Sequence, residues 1–127
     1  MGNLEPVLKL EHADARGEIY SFAVPDNREL MLLHSVPGVF RGGHSHDCDE
    51  MVMVLSGKMR YYKRHLGGKE VISMLGDGDD SFNPAGLIHM GEFLEDTWLI
   101  ELKLARKGEW KQVIDEPYRR KVEASAV

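Results

Sequence analysis

The chain has a single cysteine, Cys48, in 127 residues, so no internal disulfide can staple it. That usage fits a reducing compartment. It also lacks long apolar runs: the longest, such as Met51 to Leu55, span a few residues, against the roughly 20 that a membrane-crossing helix needs. No block of basic residues is present. Its 16 Lys+Arg are interspersed with 21 Asp+Glu for a net charge of -5, which removes the electrostatic footprint of a phosphate-backbone binder. Met1-Gly2-Asn3-Leu4-Glu5-Pro6 has no basic region or apolar signal core, and no hydroxyl residue at position 6 for a myristoylation motif. Repeats, low-complexity tracts and linkers are missing too. The expectation is one cytoplasmic domain over residues 1–127, with a core of about 18–105, a C-terminal extension of about 106–127, and neither nucleic acid nor membrane as partner.

What is present is glycine, 13 of them, between short apolar runs. Glu18 to Val24 reads as a strand ending in the turn chemistry of Pro25-Asp26-Asn27. Leu30 to Val36, Met51 to Leu55, Met59 to Arg64 and Glu70 to Leu75 follow, and Gly67-Gly68 joins the last two as a hairpin. In Thr97 to Leu104, Trp98, Ile100, Leu102 and Leu104 share one face, while Leu99, Glu101 and Lys103 take the other. Strands of this length at close intervals predict an all-β sandwich or barrel. Glu109 to Val122 has the composition of a short terminal helix, interrupted by Pro117, and the tail after Lys121 reads as loose.

The chemistry concentrates in Gly38-Val-Phe-Arg-Gly-Gly-His44-Ser-His46-Asp-Cys-Asp-Glu50. Residues two apart on a strand face the same way, so His44 and His46 present their imidazoles side by side. Glu50 opens the next apolar run and can return beside them. Pro84-Ala-Gly86-Leu-Ile-His89 begins a later strand with another histidine. Three imidazoles and a carboxylate suit a divalent first-row transition metal, and coordination positions left open would make the site catalytic.

These residues resemble the cupin superfamily. Gly38-x5-His44-x-His46-x3-Glu50-x6-Gly57 looks like the first cupin motif at each fixed position, and Gly78-x5-Pro84-x-Gly86-x2-His89 looks like the second; only the closing Asn departs, replaced by Phe93. The stretch between them, residues 58 to 77, is short. The resemblance covers about Ile19 to Leu104 and implies an antiparallel jelly-roll barrel holding one divalent metal (Fe, Mn, Ni or Zn) on His44, His46, Glu50 and His89. A second resemblance, on Asp14-Ala-Arg16-Gly17 and Arg41-Gly-Gly-His44-Ser-His46, is to the sugar-nucleotide 3,4-ketoisomerase branch. It implies His44 and His46 as metal-free acid/base groups, although Glu50 stands where that branch usually has a neutral residue.

Other residues remain open at this level. Glu101 is either a buried acid/base or a solvated charge. Arg41 and Arg60 are candidate forks for a carboxylate or phosphate. Asp47 and Asp49 either cap the turn or support the histidines, and Cys48 reads as packing. Met51, Met53, Met59, Met74 and Met90 fill gaps in the core or line a malleable pocket. His12, His34 and His65 have no motif around them. Three functions compete: a dioxygenase-type metalloenzyme on a small oxygenated organic acid, a keto-sugar isomerase or epimerase, and a non-catalytic small-ligand-binding cupin. The cupin resemblance also implies a homodimer.

Overall fold

The computed structural model describes residues 7–126. The chain forms two antiparallel sheets packed face to face, with one helix against the outside of the smaller. The larger sheet has strand order β1-β2-β3-β10-β5-β8, comprising β1 (Leu8–Asp14), β2 (Gly17–Phe22), β3 (Arg28–Ser35), β5 (Glu50–Ser56), β8 (Asp80–Asn83) and β10 (Thr97–Arg106). The smaller has order β11-β4-β9-β6-β7, comprising β4 (Phe40–His46), β6 (Lys58–Arg64), β7 (Val71–Gly76), β9 (Ile88–Phe93) and β11 (Gln112–Ile114). This is a jelly-roll β-sandwich. The Gly67-Gly68 hairpin joins β6 to β7, which pair from Lys58↔Gly76 to Lys63↔Val71.

The inner faces bury Leu33, Val52, Val54, Met59, Phe93 and Leu99 between the sheets. Each such side chain contributes about 1.5–3 kcal/mol when removed from water. Phe93, standing where the cupin motif has Asn, belongs to this apolar layer at 1% exposure. Of the five methionines singled out above, Met59 lies in the inner core and Met90 is buried on the other face, whereas Met53 and Met74 are exposed.

The stretch after Lys121, expected to be loose, continues as helix to Ser125. Gln112–Ile114 pairs with β4, placing Gln112 opposite His46 and Ile114 opposite His44. Helix α1 follows over Glu116–Ser125. Pro117 falls in its first turn rather than interrupting it, where the missing N–H would have no intrahelical partner anyway. Asp115 caps it, accepting from the Tyr118 backbone N–H at 3.3 Å. Tyr118 and Val122 then pack on Ile88 and Met90, forming a second apolar cluster behind the smaller sheet. β1, which no apolar run announces, pairs among the described residues with β2 alone and is exposed along nearly its whole length.

Candidate metal centre

Four strands build the site: β4, β5, β9 and β10. On β9, period-2 alternation turns Ile88 and Met90 toward the helix and His89 toward the interior. On β4 the alternation is broken. The register runs Arg41↔Gly91, Gly42↔Met90 and then His44↔His89, with a bulge between Gly42 and His44. Gly42 and Gly43 hold the bulge at φ +96° and +78°, a region L side chains rarely adopt. The extra residue puts both Arg41 and His44 on the inner face, although they stand three positions apart with two residues between them. Strict alternation would send one of them outward.

The ligand nitrogens of His44, His46 and His89 lie within 4.8 Å of one another. Glu50 is fully buried beside two of them, with Oε1 3.5 Å from His89 Nε2 and Oε2 3.9 Å from His46 Nδ1. The tight cluster thus holds the three histidines, with Glu50 at its edge. Burial pushes the imidazoles strongly toward the neutral form: His44 to about 2, with the charges of His89 and His46 adding to it, and His46 to about 3, with His89 adding to it. Burial lowers His89 as well. Neutral imidazoles are the ligating form.

Hydrogen bonding leaves room for a cation. His89 Nδ1–H donates to the Leu87 carbonyl at 3.1 Å, which leaves Nε2 as a bare lone pair. That nitrogen, His44 Nδ1 and Glu50 Oε2 are buried without hydrogen-bond partners among the described residues. Each such orphan costs about 1–3 kcal/mol unless something satisfies it. His89 Nε2 and Glu50 Oε1 are two acceptors facing each other at 3.5 Å, and a divalent cation suits that meeting. The donor set therefore fits the metal expected for it.

Around this centre lies a polar network of which the sequence reading identified only a part. The Asn83 amide donates to Glu50 Oε1 at 3.2 Å and to the Tyr61 hydroxyl at 2.7 Å. Lys103 Nζ is 3.3 Å from Glu50 Oε2. Lys103 shares its face with Glu101 by simple alternation along β10, and that signal was legible. Glu101 lines the cavity beside the histidines, and burial, followed by repulsion from Glu50, raises its carboxyl above the ordinary range. The cavity measures about 390 Å³. Trp110 and Arg119 contribute to its wall from the C-terminal extension, where no motif marks them.

The two arginines part company. Arg60 lies outside the cavity, bonded to Glu92 at 2.7 Å. Arg41 is buried in the cavity wall, where its Nε–H donates to Ser35 Oγ at 2.7 Å and its Nη2 donates to the His34 carbonyl at 3.1 Å. No carboxylate pairs with it among the described residues. Among the described residues neither Asp47 nor Asp49 bonds a histidine: Asp47 accepts from the Lys111 backbone N–H at 2.7 Å, and Asp49 accepts from that of Ala85 at 2.8 Å. They pin the first-motif loop to its neighbours. Asp14 grips Arg16 at 2.7 Å, and His34 sits across Trp98 between Glu18 and Asp96.

No protein-family model and no curated relative matches the chain. Solved structures do. The capsular polysaccharide assembling protein CapF from Staphylococcus aureus superposes with a TM-score of 0.74 at 22% identity, over 88% of this chain and 32% of CapF. Oxalate decarboxylase from Bacillus subtilis superposes with a TM-score of 0.67 at 20% identity, over 89% of this chain and 33% of its own. The chain has the cupin fold. CapF with the inhibitor 3-isopropenyl-tropolone matches at 26% identity and a TM-score of 0.67, over 76% of this chain and 30% of CapF. A further structure of the decarboxylase, at 21% identity and a TM-score of 0.65, covers 81% of this chain and 30% of its own and concerns that enzyme's Mn(II) centres. This chain spans about a third of the length of those proteins. Fold and histidine cluster together support a cupin that binds a divalent metal. Among the described residues, no helix is long and apolar enough to cross a membrane.

Proposed function

We propose that this cupin is a metal-dependent enzyme of dioxygenase type, acting on a small oxygenated organic acid. The observation that carries this reading is the cavity itself. Three neutral imidazoles open onto it, and Arg41 lines its wall without a carboxylate partner. His44, His46 and His89 would hold the metal, with Glu50 as the carboxylate ligand. Bound there, a redox-active divalent ion supplies O2 chemistry or Lewis-acid polarisation.

The chain's own residues supply the rest. Arg41, oriented by Ser35 and the His34 carbonyl, has no partner on Nη1 among the described residues and can offer it to a substrate carboxylate, an interaction its burial strengthens. Leu33, Met59, Phe93 and Leu99 line the cavity with apolar surface and exclude water from the reacting atoms. Glu101, its carboxyl raised by burial, is suited to hold or move a proton at the substrate. Elemental analysis of protein purified without an affinity tag, with His44→Ala as control, tests the metal. About one iron, manganese or nickel per chain, lost in the variant, is the expected result. Iron-loaded protein should then consume O2 with some member of a panel of small acids and thiols; no turnover across the panel overturns the dioxygenase reading.

The likeness to a capsular polysaccharide assembling protein favours a sugar as substrate, and with it a second reading, keto-sugar isomerisation with His44 and His46 as acid/base groups. It predicts exchange of a substrate proton with solvent deuterium that survives chelation. Loss of exchange on chelation sinks it.

A further inference from the structure

Lys103 is an unusual neighbour for a metal ligand. It is 4% exposed on β10, and the register sets it directly opposite Glu29 of β3 on one side and Glu50 of β5 on the other. Its ammonium stands 3.4 Å from Glu29 Oε2 and 3.3 Å from Glu50 Oε2, and 4.7 Å above the Trp110 ring. Both carboxylate oxygens are buried, and neither receives an aligned hydrogen bond. Lys103 is thus shared between two anions one strand spacing to either side, with Glu101 two residues along the same face adding its attraction, and locked onto neither.

We propose that Lys103 is a positioning residue that competes with the metal for Glu50 and so sets the affinity of the site, with Glu29 and the Trp110 ring as its alternative seat. The proposal rests on the metal-binding reading above. A fully buried carboxylate needs a counter-charge. Without metal, Lys103 supplies it. A divalent cation among the imidazoles and Glu50 would stand close to the same ammonium, and like charges repel strongly where water is excluded. The lysine stem is flexible, so its head can lean toward Glu29, whose carboxylate already lies within ion-pair distance, and onto the face of Trp110. Neither move requires the backbone to shift. Metal entry then exchanges one counter-charge on Glu50 for another, leaving neither Glu50 nor Glu29 bare at either stage.

The two carboxylates give the test opposite signs. Lys103→Met removes the competitor and should tighten binding of Mn(II) or Zn(II), measured by chelator competition, at least about tenfold relative to wild type, given the size of close charge couplings. Glu29→Gln removes the alternative seat, drives Lys103 onto Glu50, and should weaken binding by about fivefold or more on the same grounds. A lysine that only supports the fold predicts weakening in both. Circular dichroism and thermal melts check folding; if Lys103→Met does not fold, Glu29→Gln together with Lys103→Gln carries the same pair of signs. Wild-type binding with an unchanged or weaker Lys103→Met overturns this proposal and leaves the metal reading standing. Failure of wild type and every variant to bind metal overturns both.

Discussion

The bulge at Gly42-Gly43 aims the site, and its cost to any other residue can be worked out. Gly42 has φ +96°, and a Cβ there would lie 2.9 Å from the His89 carbonyl oxygen and 3.2 Å from Met90 Cα. Both are backbone atoms of β9 and cannot rotate away. Gly42→Ala therefore incurs about 1–2 kcal/mol for the left-handed backbone and about 1–3 kcal/mol for the forced shift. Gly38→Ala is the matched control, because its φ is +88° but nothing lies within 4 Å of its Cβ. It incurs the backbone cost alone, about 1–2 kcal/mol. Denaturant titration should put the Gly42→Ala midpoint clearly below that of Gly38→Ala, at unchanged slope. Because the clash falls on the residue paired next to His44, it should also spread His44 from His89 and weaken metal binding about tenfold or more, as 1.4 kcal/mol per decade implies. Equal losses in the two variants, with wild-type metal affinity in both, refute the claim that this bulge holds the histidines together.

Other consequences are equally open to measurement. Burial lowers the His34 pKa, but its bonds to Glu18 at 3.0 Å and Asp96 at 2.7 Å outweigh that and raise it overall. A raised folded-state value stabilises fully below the unfolded pKa of about 6.5 and fades as pH rises through the folded value. The melting temperature of His34→Gln should accordingly fall less than that of wild type between mildly acidic and mildly alkaline pH; parallel curves refute it. Asp115→Ala removes both the cap of α1 and the two 2.6 Å contacts of Arg64 Nη2, and should cost about 2–3 kcal/mol in denaturant titration; a loss below about 0.5 kcal/mol, the scale of a neutral surface change, counts against it. Arg41→Met should leave metal content unchanged and weaken binding of a small carboxylate by tenfold or more, the scale of a lost charged hydrogen-bond pair; unchanged affinity by calorimetry removes Arg41 from the binding site. His89→Ala should abolish metal retention more than it unfolds the sandwich, and a variant that still holds one metal per chain takes His89 out of the site.

Much of the architecture was legible because it depends on local pattern. β3, β5, β6, β7 and β10 announce themselves as short apolar runs between turn residues, and the hairpin at Gly67-Gly68 follows from turn chemistry. β1 and β11 do not, since an exposed edge strand needs no apolar run. Pro117 misleads for a related reason: proline breaks a helix interior but starts a helix well, and only a boundary at Asp115 distinguishes the two.

By itself, the sequence determined which chemistry is available: three histidines and Glu50 in cupin spacing, within short strands whose period places His44 and His46 on one face. Tertiary structure decided which face is the inside. On β10 the apolar row of Trp98, Ile100 and Leu102 turns outward, while Leu99, Glu101 and Lys103 line the cavity, because alternation defines two faces without ranking them. It also decided that Arg41 joins the histidines, through a bulge that adds one residue to β4, while Arg60 pairs with Glu92 outside. Finally, it set Lys103 between Glu29 and Glu50, a meeting of three strands that local spacing along the chain does not encode.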